Sequence, residues 1–206
     1  MKILFGTTNP AKVAWTKGLL SYFDIEVITP DDLGIKDKPI KNGKTPLENA
    51  RIKCEFYHQY YHNVLCHDSG LFFEELNYQD PLQPSVHIRR PNNLNKSLND
   101  NEMIEYYTNL IKDLGGKVKA YYSDGVVIML GDEVFTKIIE DKTKAFIMVD
   151  KPCEIKVPGW PLDSISIGDD GLYFANRRKL VDKIIDNKEI KSPYYYFYEE
   201  VFKKRW

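Results

Sequence analysis

The first part of the chain alternates short apolar runs with stretches that carry a helical period. Residues 2–6 form an apolar run that Thr7 interrupts, and apolar side chains then recur at helical spacing over residues 11–22. Asn9 is a favourable N-cap, and Pro10 fits the first helical position because no N–H donor is needed there. The pattern predicts a strand, a loop and a helix in succession.

A second helix is delimited by signals of its own. Thr45 and Glu48 form a capping box around Pro46, which predicts a helix over residues 46–61. The segments around it are predicted as a strand (25–28), a polar loop (30–44) and a short strand (63–67) closed by the turn residues Asp68, Ser69 and Gly70. Strands that are separated by helices predict an α/β core.

The middle of the chain changes to β-branched and aromatic runs. These runs lie at residues 118–122, 126–130, 134–139 and 145–149, with turn residues at 131–132 and 141–142. They predict an antiparallel meander. A loop rich in Pro and Asn (80–101) and a helix (102–114) are predicted before it, and a helical tail after residue 176 with a last helix that begins at Pro193.

Composition limits the class of protein. The chain has 206 residues, 29 basic and 30 acidic side chains and a formal net charge of −1, so we expect one domain over residues 1–206 and no nucleic acid or anionic membrane as a partner. A hydrophobic fraction of 43% argues against disorder. No apolar stretch approaches the roughly 20 residues that span a bilayer. Three scattered cysteines without a CxxC motif favour reduced thiols, and therefore a cytoplasmic protein.

The loop after the first strand is a candidate phosphate site. Thr7, Thr8, Asn9 and Lys12 supply two hydroxyls, an amide and an ammonium at a helix N-terminus. Backbone N–H groups favour an anion there, and a bound anion would offset the cost of a cation in the first helical turn. The alternative is that Asn9 only caps the helix and Lys12 is a solvated surface residue. The pattern leaves both open.

Asp68 and Ser69 form a second candidate site because they follow the third predicted strand. Strand ends on one edge of a sheet converge on one crevice, so we expect Asp68 to face the same space as Lys12. A carboxylate among phosphates is suited to hold Mg²⁺ or to activate a water molecule. The alternative is a plain Asp-Ser-Gly turn.

Three segments of the chain, residues 5–12, 43–54 and 68–71, resemble the inosine triphosphate pyrophosphatase family in order and spacing. The resemblance implies an α/β fold with an elongated mixed central sheet flanked by helices, and a nucleotide cleft between two lobes. It also implies a Mg²⁺-dependent hydrolase, usually a homodimer. Such an enzyme converts non-canonical purine nucleoside triphosphates, such as ITP, dITP and XTP, to the monophosphate and pyrophosphate.

The resemblance also implies roles for individual residues. Asp68 would be both the metal ligand and the catalytic proton acceptor when water attacks the α-phosphorus. The residues implied to bind the triphosphate are Thr7, Thr8, Asn9, Lys12, Ser69 and Lys188, and those implied to bind the base are Trp160, Asp163 and Tyr194.

Five residues depart from the family pattern. His67 stands where the family has an acid beside Asp68, and Lys41 lies in the segment where the family has an acidic metal ligand. Leu162 replaces a tyrosine, and Pro193 with Tyr194 replaces a histidine and an arginine. These departures favour two alternatives: a nucleotide-binding protein with weakened catalysis, or a pyrophosphatase for a different modified nucleotide.

Overall fold

The computed structural model describes residues 1–91, 94, 96–140, 142, 145–181 and 192–203. Their strands are β1 (Lys2–Phe5), β2 (Glu26–Ile28), β3 (Asn63–Phe73), β4 (Lys117–Leu130), β5 (Glu133–Glu140), β6 (Phe146–Val149) and β7 (Ser166–Ile167). Their α-helices are α1 (Pro10–Leu20), α2 (Pro46–His58), α3 (Asp100–Asp113), α4 (Phe174–Val181) and α5 (Pro193–Phe202). Single 3₁₀ turns lie at Ser21–Phe23, Asp31–Leu33 and Pro161–Ser164.

The strands form one mixed sheet in the order β2-β1-β3-β4-β6-β7, and β5 pairs with β4. β1 is parallel to β2, with Ile3 opposite Val27, and parallel to β3, with Leu4 opposite Val64. β6 is antiparallel to both β4 and β7. A mixed sheet with helices along the chain confirms the predicted α/β class.

Contacts divide the chain into two compact units. The first contains residues 1–69, 124–139 and the described residues from 192 onward, and the second contains residues 70–123 and 140–181. The first unit has two apolar clusters, one that includes Phe5, Leu65 and Tyr198 and one that includes Leu4 and Cys54. The second unit has one cluster, built on α3, β4 and β6. The single-domain expectation stays a prediction.

Local capping signals set the helix starts as predicted. The Asn9 side chain accepts a hydrogen bond from the N–H of Ala11 over 2.9 Å at the start of α1. Both halves of the capping box between Thr45 and Glu48 are present at the start of α2. Short-range hydrogen bonds determine these positions, which is why the sequence alone locates them.

Two strands are longer than predicted. β3 continues through Asp68 and Ser69 to Phe73, so the predicted turn is wrong and Asp68 lies inside the strand instead of at its end. β4 is likewise uninterrupted at Asp124, where the sequence indicates a break. The meander is also wrong, because β6 pairs with β4 and not with β5. Polar side chains are tolerated inside these strands because they have partners: Asp68 pairs with Lys41.

Candidate active site

The loop between β1 and α1 is tightly held by the first unit. A Cβ atom at Gly6 would lie 2.4 Å from the Tyr57 ring and 2.5 Å from the Cys66 sulfur, so only glycine fits there. The Thr7 N–H donates to the Phe5 carbonyl over 2.7 Å, and the Asn9 N–H donates to Thr7 Oγ1 over 3.3 Å. Those two N–H groups, expected to bind phosphate, already have acceptors in β1 and in the loop. The Thr8 side chain is exposed and the Lys12 side chain, in the first turn of α1, is half-buried.

Lys12 meets the β3 strand, as predicted. Its ammonium donates to Ser69 Oγ over 3.2 Å, although 57 residues separate the two in the chain. Burial is the main influence that lowers the pKa of Lys12, and the nearby ammonium of Lys53 lowers it further. Lys12 is therefore not a freely solvated surface residue, which removes the plainer of the two interpretations of this loop.

Asp68 is almost completely buried, with 5% of the residue exposed. One carboxylate oxygen, Oδ1, accepts from the Lys41 ammonium over 2.9 Å. The other, Oδ2, is buried and has no hydrogen-bond partner among the described residues. A buried carboxylate oxygen without a donor is costly, so Oδ2 is a candidate to bind a cation.

The segment that carries Lys41 is fixed to the first turn of α2. The Gly43 N–H donates to Asn49 Oδ1 over 3.0 Å, and the Lys44 N–H donates to Glu48 Oε2 over 2.6 Å. Because the capping box orders this loop, the position of Lys41 beside Asp68 follows from the helix start. Lys41 supplies a positive charge, as the sequence allowed.

Lys53, on the next turns of α2, is a third ammonium of the site. Its Nζ donates to the His67 carbonyl over 2.5 Å, which ties α2 to β3 one residue before Asp68. We call Lys12, Lys41, Lys53, Asp68, Ser69 and Asp124 the lysine-carboxylate site. It holds three ammonium groups and two carboxylates, so a polyphosphate would meet an excess of positive charge.

His67 is buried in an aromatic cluster instead of facing a ligand. Its ring lies edge-on to Phe5 at 5.0 Å and to Trp15 at 6.3 Å between centroids, and its Nε2 lies 2.5 Å from the Tyr198 hydroxyl. Burial and the positive charges of Lys12 and Lys53 lower the pKa of His67 well below its usual value. The neutral imidazole therefore packs β3 against α1 and α5.

Asp124, like Lys53, is a residue of this site that sequence reasoning missed. It lies on β4, and its Oδ2 accepts from the Tyr194 hydroxyl over 2.6 Å, whereas its Oδ1 is buried without a partner among the described residues. Burial raises the pKa of the Asp124 carboxyl, and the Lys12 ammonium is the largest opposing influence. The available signal was an acid between two predicted β runs, 118–122 and 126–130, which the pattern left outside both.

The second unit contains the predicted base-binding turn at residues 158–163. The Arg178 guanidinium lies over the Trp160 ring at 4.0 Å and also forms an ion pair with Asp163, whose carboxylate is buried. Burial is the main influence that raises the pKa of Asp163, while Arg178 lowers it. We call Trp160, Asp163 and Arg178 the Trp160 turn. One face of the indole and the acid are engaged within the unit.

Of two further predicted site residues, Tyr194 lies in the described part of the chain and Lys188 does not. Tyr194, predicted to contact the base, begins α5 in the first unit, donates to Asp124 and packs edge-on against Trp15 at 4.9 Å. Its hydroxyl therefore contacts the lysine-carboxylate site through Asp124. Lys188, predicted to bind the triphosphate, lies outside the described residues.

Metal and membrane signals are sparse in the described part of the chain. Those residues contain no group of three or more His, Cys, Asp or Glu side chains placed to hold a metal ion. Mg²⁺ commonly needs only one or two carboxylates because phosphate oxygens and water complete its shell, so the unpartnered Oδ2 of Asp68 fits such an ion. None of the helices described is both long and apolar enough to traverse a bilayer.

The chain matches known proteins over most of its length. The model of the Ham1 family matches residues 3–161. The dITP/XTP pyrophosphatase of Thermoanaerobacter pseudethanolicus is 33% identical over 153 residues, which are 72% of each chain. The dITP/XTP pyrophosphatase of Borreliella burgdorferi (strain ZS7) is 29% identical over 194 residues, which cover 90% of this chain and 87% of that one.

A solved structure supports the fold. The HAM1 protein from Coxiella burnetii superposes with a TM-score of 0.66 at 20% identity and covers 88% of this chain and 90% of its own. The mixed sheet and its flanking helices therefore define an α/β protein with the fold of the HAM1 proteins. This chain belongs to the Ham1 family, which confirms the resemblance drawn from its three motifs.

Proposed function

We propose that this protein is a nucleoside triphosphate pyrophosphatase that hydrolyses non-canonical purine nucleotides such as ITP, dITP and XTP to the monophosphate and pyrophosphate. The observation that carries the proposal is the buried Asp68 carboxylate, with one oxygen that has no partner in the described part of the chain, near the ammonium groups of Lys12, Lys41 and Lys53. The names of the relatives from Thermoanaerobacter and Borreliella support the choice of substrate.

The lysine-carboxylate site divides the chemistry among its members. Lys12 and Lys41 neutralise phosphate charge, and the Ser69 hydroxyl, already bonded to Lys12, donates to a phosphate oxygen. Asp68 accepts the proton of the water that attacks the α-phosphorus, and pyrophosphate leaves. The preorganised ammonium groups stabilise the charge that develops on the leaving phosphates.

Mg²⁺ is the metal that this site suits. Asp68 would hold it through the buried Oδ2, which has no protein donor among the described residues. When bound, such an ion polarises phosphate oxygens and lowers the pKa of coordinated water. Pyrophosphate release with Mg²⁺ and with EDTA in its place measures this dependence directly.

The base is read less sharply than the family resemblance implies. Leu162 is apolar, and the Asp163 carboxylate is bonded to Arg178, so few polar groups are free to read a base edge. A mostly apolar pocket discriminates by about 10², whereas a site with paired donors reaches about 10⁴ to 10⁵. We therefore expect the preference for ITP and XTP over GTP and ATP to stay below about 10³.

One experiment tests the activity and its specificity together. The purified chain is assayed for pyrophosphate release from ITP, dITP, XTP, GTP, ATP and dUTP, and kcat/KM is compared side by side. Turnover of ITP, dITP or XTP is the expected result. No pyrophosphate from any of the six contradicts the proposal, and a preference above the stated limit contradicts only the argument about the base.

A second candidate function is nucleotide binding with weakened catalysis. The ion pair between Lys41 and Asp68, with 2.9 Å between Nζ and Oδ1, favours it because an ammonium there competes with a metal ion for the acid. Calorimetric binding of ITP without pyrophosphate release would support this alternative.

Homodimer formation and a cytoplasmic location remain predictions. Light scattering on the purified chain tests homodimer formation.

A further inference from the structure

Asp68 and Asp124 lie on neighbouring strands of the sheet and use their carboxylates in the same way. Each has one oxygen bonded to a side chain of the first unit, Lys41 for Asp68 and Tyr194 for Asp124. The other oxygen of each is buried without a hydrogen-bond partner among the described residues. Two such oxygens on adjacent strands are a specific pattern, since most buried polar atoms are bonded.

The two carboxylates are near enough to influence each other electrostatically, and the Lys12 ammonium and a hydrogen bond with Ser69 partly offset the cost of burying Asp124. Burial is the main influence that raises the pKa of Asp124, and the Asp68 carboxylate raises it further. Lys12 attracts both, but its ammonium donates to Ser69 Oγ and not to either free oxygen. A small divalent cation is the group that two carboxylate oxygens from adjacent strands bind.

The backbone fixes Asp124 in this place. A Cβ atom at Gly125 would lie 2.4 Å from the Leu47 backbone, so β4 passes directly against the first turn of α2. The same turn orders the loop that carries Lys41. Asp124 is therefore held on a rigid strand beside α2, as a metal ligand needs to be.

We propose that Asp68 and Asp124 together bind the divalent cation that accompanies the triphosphate, one carboxylate oxygen each. Asp124 is thus a second metal ligand supplied by β4, and phosphate oxygens and water complete the shell. The inference rests on the proposed function for the identity of the ligand, a triphosphate with its metal. It does not rest on turnover.

A competing role for Asp124 is to position Lys12 and Ser69 only. The two roles predict different effects of neutralising Asp124 on triphosphate affinity when the metal is removed. As a metal ligand, Asp124 repels a metal-free triphosphate, so its neutralisation leaves binding in EDTA unchanged or tighter. As an anchor for Lys12, its neutralisation weakens triphosphate binding with and without metal.

The experiment measures the dissociation constant of the α,β-methylene analogue of ITP by calorimetry, with Mg²⁺ and with EDTA. We expect Asp124→Asn to weaken binding about 10- to 100-fold with Mg²⁺ and not at all in EDTA. The electron paramagnetic resonance spectrum of Mn²⁺ with the analogue should lose its protein-bound component in the same variant. Asp124→Glu keeps the carboxylate, so the variant should retain more of the increase in affinity that Mg²⁺ causes in the wild type.

Asp132→Asn is the matched control, because Asp132 is an exposed acid in the turn that follows β4 and the charge change is the same. It should leave both constants unchanged. Equal weakening by Asp124→Asn in Mg²⁺ and in EDTA overturns the inference, and so does a wild-type constant that Mg²⁺ does not change. Binding of the analogue needs no hydrolysis, so failure of the pyrophosphate assay leaves this result interpretable.

Discussion

The lysine-carboxylate site of the first unit and the Trp160 turn of the second unit use charge in opposite ways. In the first, Asp68 and Asp124 each keep one buried carboxylate oxygen without a partner among the described residues, beside three ammonium groups. In the second, the buried Asp163 is neutralised by Arg178, which also covers the Trp160 ring. The described residues thus leave two acceptors unpaired in the first arrangement, whereas they pair the buried charge in the second.

This contrast indicates which of the two regions has charged groups available for a ligand. Four residues of the lysine-carboxylate site, Lys12, Lys53, Asp68 and Ser69, lie in the three segments that resemble the family. The Trp160 turn has charged groups that bond to each other. Substitutions in the first region should change ligand binding and turnover, and substitutions in the second should change stability.

The largest effect is expected for Asp68→Asn. The change keeps the volume of the side chain and removes the carboxylate that accepts the proton, so kcat/KM for pyrophosphate release should fall by about 10² or more. Asp68 is buried, so circular dichroism and thermal unfolding must show that the variant is folded. Asp132→Asn, with an exposed acid, should keep the wild-type rate. A variant that retains more than about a tenth of the rate shows that Asp68 is not the catalytic base.

The elements that the sequence located and those that it missed differ in the range of their interactions. Asn9 and the Thr45–Glu48 capping box act within three residues, so α1 and α2 start where predicted. Asp68 resembles a turn residue beside Ser69 and Gly70, yet it lies inside β3. Its partner Lys41 is 27 residues away, so no local pattern reveals the pair. The partner of Asp124, Tyr194, is 70 residues away.

The candidate site shows the same limit. Lys12, Ser69 and Asp68 were found because contiguous motifs carry them, and the structure brings them together. Asp124 and Lys53 were missed because no local pattern marks an acid in a long strand or a lysine on a helix as part of a site. Only the pairing of β4 beside β3 and the packing of α2 give them that role.

The Trp160 turn should respond to Arg178→Met through stability. The variant leaves the buried Asp163 carboxylate without its partner, which should cost about 1–3 kcal/mol in the free energy of unfolding. Urea unfolding measures that cost, and Asp163→Asn in the Arg178→Met background should recover part of it because the buried charge is gone. If the unfolding midpoint is unchanged, or if the variant binds the triphosphate more weakly, then Arg178 contributes to ligand binding and not to the stability of the fold.

Lys12→Ala should weaken triphosphate binding, mainly through lost contact with the outer phosphates. Loss of the ammonium should weaken calorimetric binding of the α,β-methylene analogue of ITP about tenfold and change binding of the monophosphate much less. Lys17→Ala is the control, since Lys17 is an exposed lysine one turn further along α1. Equal losses for the two ligands would place Lys12 near the α-phosphate or the base.

The smallest effect is a pH dependence of stability that His67 should cause. The ring is 5% exposed, and burial together with the Lys12 charge holds the pKa of His67 well below its usual value of 6.5. Between those two values the unfolded chain binds a proton that the folded chain does not, so stability is full above about pH 6.5 and is lost as the pH falls. A decrease from pH 6.5 to pH 5.5 should cost about 1 kcal/mol.

Urea unfolding at several pH values separates this contribution from those of other groups. His67→Phe keeps an aromatic ring in the cluster of Phe5, Trp15 and Tyr198, so its stability should fall less steeply below about pH 6.5 than that of the wild type. His62→Gln removes an exposed histidine and should keep the wild-type slope. If wild type and His67→Phe lose stability in parallel, then His67 takes up its proton in the folded protein as readily as in the unfolded chain. The buried imidazole would then be charged beside Lys12 and Lys53, and it would belong to the lysine-carboxylate site and not to the aromatic core.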